Sequence, residues 1–136
     1  MKVLSKICSV CLCLCFLLQM NVVIIAKAYD AGVMPCYDYV QLANAYLSFA
    51  NDVAKCKITI YCLSDTEKIT GTITLYDETA GKNVASRTVY QESAIYTNSF
   101  SVDVTAGHKY TLSYSGYVYG QDGSYDAVSA SVTKEN

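Results

Sequence analysis

From residue 45 onward, apolar and polar positions alternate with a period of two, which marks half-buried strands rather than amphipathic helices. Residues 54–63 set Cys56, Ile58, Ile60 and Cys62 on one face, against Lys57, Thr59 and Tyr61 on the other. Residues 68–76 repeat this, with Ile69, Gly71, Ile73 and Leu75 inward and Thr70, Thr72, Thr74 and Tyr76 outward. Further strands are expected at 84–91 and at 95–104, where Phe100, Val102 and Val104 form the apolar side. At 108–119, Tyr110, Leu112, Tyr114 and Val118 share a face; Val128, Ala130 and Val132 mark the last strand and 45–50 the first. Turn signals separate the runs: Asn51-Asp52, Gly81 within 77–83, Thr105-Ala106-Gly107, and Gln121-Asp122-Gly123, whose glycine accepts the positive φ of a tight hairpin. Only 38–46 has any helical character.

Seven short strands joined by short turns predict an all-β chain, an immunoglobulin-like antiparallel β-sandwich. Tyr110 stands just inside the sixth strand after the Gly107 turn, the place of a tyrosine corner whose hydroxyl ties back to upstream backbone. The plainer reading is an inward aromatic, and under both readings Tyr110 is structural. Gly107 and Gly123 are structural as turn residues.

The alternation fails before residue 29. Lys2 and Lys6 form a basic start, 7–18 is an apolar run, and Ala26-Lys27-Ala28 has the small-x-small form of a signal-peptidase site. Residues 1–28 are therefore expected to be a signal peptide, 29–42 a leader carrying the chain's only proline, Pro35, and 43–136 a single sandwich domain. The competing reading is an uncleaved anchor, because 7–26 is long enough to cross a bilayer. Cleavage leaves 108 of the 136 residues, enough for one core, in a secreted, extracellular protein. The remaining seven basic and twelve acidic residues give a charge near −5. A mildly acidic surface without Lys/Arg clusters argues against nucleic acid, and against a membrane surface once the signal is removed.

Four of the seven cysteines leave with the signal, and Cys36, Cys56 and Cys62 stay. In an oxidising compartment two are expected to pair. Cys56 and Cys62, six residues apart on one strand, have Cα atoms about 20 Å apart, whereas a disulfide needs about 7 Å or less. A bridge must then use Cys36. Cys36–Cys62 is preferred over Cys36–Cys56, because a leader folded back through a turn at 51–52 carries Cys36 toward the far end of the second strand. Three free buried thiols are the alternative.

Candidate chemistry is sparse. The single histidine, His108, sits beside a turn with no nucleophile elbow around it. No Cys-x-x-Cys spacing points to zinc, so no metal and no cofactor are expected. Asp65, Glu67, Asp77, Glu78, Glu92, Asp122 and Asp126 fall in or beside turns, where solvated charge is the ordinary explanation, and no facing pair fits glycosidase chemistry. Asp122 and Asp126 lack the repeated ligand spacing of a calcium loop. No catalytic residues are assigned, and an enzyme is not expected.

The 13 tyrosines give the one positive signal. If strands three, six and seven share a sheet, its outer face carries Thr70, Thr72, Thr74, Tyr76, Ser113, Ser115, Tyr117, Tyr119, Ser129 and Ser131, aromatic and hydroxyl-rich with almost no charge. Such a face can stack on sugar rings or dock a protein at low desolvation cost. It is equally the composition that half-exposed strands favour. Tyr76, Tyr117 and Tyr119 are the candidate ligand-binding residues, with Tyr76 toward the opposite end of the sheet.

The signal segment, Tyr46-Leu47-Ser48, the 69–76 strand, the turn from Val104 through Gly107 to Tyr110-Thr111-Leu112, and the run from Tyr119 to Asp126 together resemble uncharacterised small secreted β-sandwich proteins of Firmicutes, notably Clostridia. The resemblance spans roughly residues 40–133. It implies export and one all-β domain, and carries over no catalytic residues. The expected function is a secreted, non-catalytic binder of an extracellular glycan or protein surface. The alternatives are a bacteriocin-like antagonistic factor and a small hydrolase using turn carboxylates.

Overall fold

Residues 37–136 are described by the computed structural model. They form seven strands: β1 (Val40–Ala50), β2 (Val53–Cys62), β3 (Thr66–Asp77), β4 (Lys82–Gln91), β5 (Ile95–Asp103), β6 (Lys109–Gly120) and β7 (Tyr125–Glu135). The expected signal peptide, the start of the leader and Cys36 lie outside the described residues. All pairings are antiparallel, giving one sheet ordered β1-β2-β5 and another ordered β4-β3-β6-β7. The immunoglobulin-like sandwich is therefore the fold, with the fourth strand on the sheet of the third rather than beside the fifth.

The alternation explains the layers. Leu47, Ala54, Cys56, Ile58 and Ile60 from the first sheet, and Ile69, Ile73, Leu75, Leu112, Tyr114 and Val118 from the second, are all essentially excluded from solvent. Each large aliphatic side chain among them contributes about 1.5–3 kcal/mol by leaving water. The helical character of 38–46 does not survive: this stretch runs into β1 and pairs with β2 through a hairpin whose two turn residues, Asn51 and Asp52, both have positive φ. The first strand also starts earlier than expected, at Val40, inside the segment assigned to the leader. A register shift between Val40 and Leu42 breaks the alternation there and hides the strand's start.

Two devices fix the ends of the sandwich, and a third guards an edge. The Tyr110 hydroxyl accepts a hydrogen bond from the Thr105 N–H at 2.8 Å, tying β6 to the turn before it, and its ring packs 5.7 Å from Phe49. Tyr39, just ahead of β1, lies against Gly120, where an added Cβ would meet its ring at 2.3 Å. Its hydroxyl donates to Asp122 at 2.8 Å and also contacts Ser124, and its N–H donates to Asp126 at 2.7 Å, clamping the chain onto the β6–β7 hairpin. At the open side, Arg87 shares the inward parity of edge strand β4 and rests 4.4 Å from the Phe100 ring centroid. An inward charge on an edge strand discourages another strand from pairing with it.

Candidate functional site

The outer face of the four-stranded sheet is laid out by register. Thr88, Thr72, Ser115 and Ser129 stand side by side, and Ser86, Thr74, Ser113 and Ser131 form the next rung. Neighbours in a rung are about 4.8 Å apart. Thr111 and Thr133 share a hydrogen bond at 2.8 Å one rung beyond. At the opposite end, one rung runs Tyr90–Thr70–Tyr117–Ala127 and the last runs Lys68–Tyr119–Tyr125.

Tyr117, Tyr119 and Tyr125 make one cluster. The Tyr117–Tyr125 centroids are 5.5 Å apart with rings nearly perpendicular, and Tyr119 lies 5.9 Å from Tyr125 and 6.3 Å from Tyr117. The rings thus form a notch with inclined walls. Lys68 Nζ sits 5.0 Å from the Tyr119 centroid and occupies one side of that ring. Tyr117 and Tyr125 remain 45% and 61% exposed, which makes them the open walls. Beside Tyr117 lies a depression of about 370 Å³, bordered by Thr72, Ser115, Ala127 and Ser129 and by the facing glycines Gly71 and Gly116. On the inner side of this glycine pair the Tyr114 ring fills the space, its hydroxyl donating to the Thr70 carbonyl at 2.9 Å.

The structure brings Tyr117 and Tyr119 together and leaves Tyr76 apart. Tyr76 pairs with Thr111 and Asn83, six residues along β3 from the Thr70 rung, or about 20 Å. Sequence reasoning missed Tyr125 and Tyr90. A hairpin centred on Asp122 places Tyr125 opposite Tyr119, so the signal for Tyr125 was present in the turn. Tyr90, 63% exposed and hydrogen-bonded to Glu92 at 2.7 Å, depends on β4 joining β3, which no local pattern reveals.

Two carboxylate readings change. Asp77 is buried rather than solvated: its carboxylate accepts from the Ala80 N–H at 2.9 Å and lies 2.9 Å from His108 Nδ1. Burial pushes its pKa up, but the hydrogen bonds from His108 and the Ala80 and Thr79 N–H groups outweigh this and hold it below the usual value. His108, which the sequence places beside a turn without a partner, is the partner of that carboxylate. Asp122 is held down to about 2 by the Ser124 hydroxyl, the Ser124 N–H and Tyr39, so it too fastens a turn. Among the described residues no cluster of three or more His, Cys, Asp or Glu could hold a metal ion.

Cys56 and Cys62 are buried and not joined to each other. Burial pushes both thiols up to about 11. A Cys36–Cys62 bridge would involve a residue outside those described. Gly107 and Gly123 both have positive φ, at 72° and 85°, with nothing within 4 Å of an added Cβ, so conformation alone selects glycine there. Compared with known proteins, the chain matches no family model and no curated protein.

Proposed function

We propose that this is a secreted, non-catalytic protein that binds an extracellular glycan through the outer face of its four-stranded sheet. The observation that carries the reading is the Tyr117–Tyr119–Tyr125 notch at the end of an uncharged grid of serine and threonine hydroxyls. A sugar ring presents C–H groups on its faces and hydroxyls at its rim; the negative π-face of an exposed tyrosine matches the first. Direct or water-bridged bonds to threonine and serine match the second. Tyr90 and Tyr117 flank Thr70 from the strands on either side, about 10 Å apart, so a bound oligosaccharide has aromatic contacts at more than one ring.

A glycan array probed with the wild-type chain and with Tyr117→Ala and Tyr125→Ala tests this. Each substitution is expected to weaken binding about tenfold, roughly 1.4 kcal/mol. Unchanged binding in both variants, or no bound glycan, would remove the reading. A second reading, docking on a protein, is favoured by one observation: Leu42, Tyr61 and Ile95 form a single rung on the other sheet, 46%, 41% and 55% exposed, with Leu63 at 38% beyond it. Capture of one defined extracellular protein, lost in Ile95→Asp but retained in Tyr117→Ala, would select it.

A further inference from the structure

The outer face of the three-stranded sheet has a different chemistry. β2 is its central strand, so Lys55 and Lys57 rise from the middle of the face. Lys57 stands between Tyr46 on β1 and Ser99 on β5; Lys55 stands between Ser48 and Ser101. Tyr46 is 55% exposed, and Lys134 reaches from β7 to place Nζ 5.5 Å from its ring centroid. Depressions lie on both sides of the Tyr46–Lys57 rung. One, of about 540 Å³, is bordered by Ser48, Lys55, Ser99 and Ser101, and the other, of about 340 Å³, by Asn44 and Thr59.

No carboxylate borders either depression. Among the described residues the ion pairs are Lys68–Glu67 and His108–Asp77, so Lys55, Lys57 and Lys134 have no acidic partner. Asp103, paired with Val53 on the next rung of the same face, forms no ion pair with Lys55. This concentration of positive charge is local, because the whole chain carries 12 acidic residues against 10 basic ones. Lys55 and Lys57 sit on one face two residues apart, about 6.6 Å, and an anion placed over them relieves their mutual repulsion.

We infer that this face is a second ligand site, for an anionic polysaccharide, with Lys55, Lys57 and Lys134 as the charge-pairing groups and Tyr46 as the ring-stacking group. A single small anion can bridge the two lysines but leaves the flanking hydroxyls and the Tyr46 ring unused. Two ammonium groups at the strand repeat, hydroxyls on both flanking strands and an exposed aromatic ring fit a polymer with repeated charges and saccharide rings. Nucleic acid draws its affinity from many phosphate contacts, more than three lysines supply. The site shares no residue with the Tyr117 notch and stands or falls separately from it.

The test is affinity electrophoresis of the full chain at low salt in gels containing polygalacturonate, dextran sulfate, neutral dextran, inorganic polyphosphate or single-stranded DNA. Retardation is expected by polygalacturonate or dextran sulfate, falling with added salt, and the responsive polymer distinguishes carboxylated from sulfated sugars. The K55Q/K57Q double variant is expected to bind about tenfold more weakly or worse, Tyr46→Ala to lose affinity also, and Tyr117→Ala to bind as wild type. Far-UV circular dichroism checks that the surface variants remain folded. Equal retardation by neutral dextran, full retention by K55Q/K57Q, no retardation by either anionic polysaccharide, or binding confined to polyphosphate or DNA would each overturn the proposal.

Discussion

Replacing Gly116 by alanine interrogates the centre of the four-stranded sheet. Gly116 on β6 faces Gly71 on β3, and a Cβ there would stand 2.0 Å from the Thr70 carbonyl oxygen, 2.6 Å from Gly71 Cα and 2.6 Å from the Tyr114 hydroxyl. The first two atoms belong to the neighbouring backbone, which can retreat only by opening the β3–β6 ladder at its middle. Overpacking a close-packed interior costs about 1–3 kcal/mol, and each ladder hydrogen bond lost adds about 1 kcal/mol. Alanine recovers only about 0.5–1 kcal/mol over glycine in strand entropy. The net loss expected is about 3 kcal/mol, a fall in Tm of roughly 12–24 °C for a domain of this size. Urea and thermal unfolding followed by far-UV circular dichroism and tyrosine fluorescence measure it, since the chain has no tryptophan. Gly123→Ala is the control: nothing lies within 4 Å there, so only its φ of 85° is penalised, by about 1–2 kcal/mol. The reasoning fails if Gly116→Ala is no worse than Gly123→Ala. It also fails if adding Tyr114→Phe restores stability, because the clash would then lie with a hydroxyl and not with backbone.

Tyr110→Phe leaves the Thr105 N–H without its 2.8 Å partner and is expected to cost about 1–2 kcal/mol in urea unfolding; a neutral result would show that the corner bond contributes nothing net. Asp77 has a depressed folded pKa, so its stabilisation is complete above the unfolded carboxylate value, near 4, and is lost as pH falls through the lower folded value. The stability gap between wild type and Asp77→Asn is therefore expected to narrow as pH falls from about 4 toward 2, which a series of urea midpoints will show or refute. The Cys56 thiol, buried and pushed up to about 11, is expected to resist iodoacetamide at pH 8 in the native protein and to react fully in denaturant, as read by peptide mass mapping.

Much of the sandwich is written in local sequence because a strand's inward and outward positions follow from parity alone. Ile58, Ile60, Ile69, Ile73, Leu112 and Val118 declare their faces without reference to any partner, and all are buried. Asn51-Asp52 and Gly123 mark hairpins because their positive φ is a local demand. Parity is silent about which strands become neighbours. Tyr117 and Tyr119 share a strand and a face, so their proximity was legible; their separation from Tyr76 along β3 was equally so. Tyr90 joins the same face only because β4 pairs with β3, and Tyr46 meets Lys134 only because the two sheets bring β1 beside β7.

The sequence by itself determined the strands, their inward faces and most turns, since these depend on interactions within a few residues. Tertiary structure decided where polar groups end up. Asp77 looks like any turn carboxylate until His108, 31 residues away, arrives to pair with it. Asp122 and Ser124 look like turn formers until Tyr39, more than 80 residues earlier, lays its ring on Gly120 and its hydroxyl between them. Lys55 and Lys57 look like ordinary solvated positions until the register surrounds them with hydroxyls and leaves them without an acid. A charged or hydrogen-bonding side chain takes its meaning from the atoms that face it, and those atoms come from distant parts of the chain.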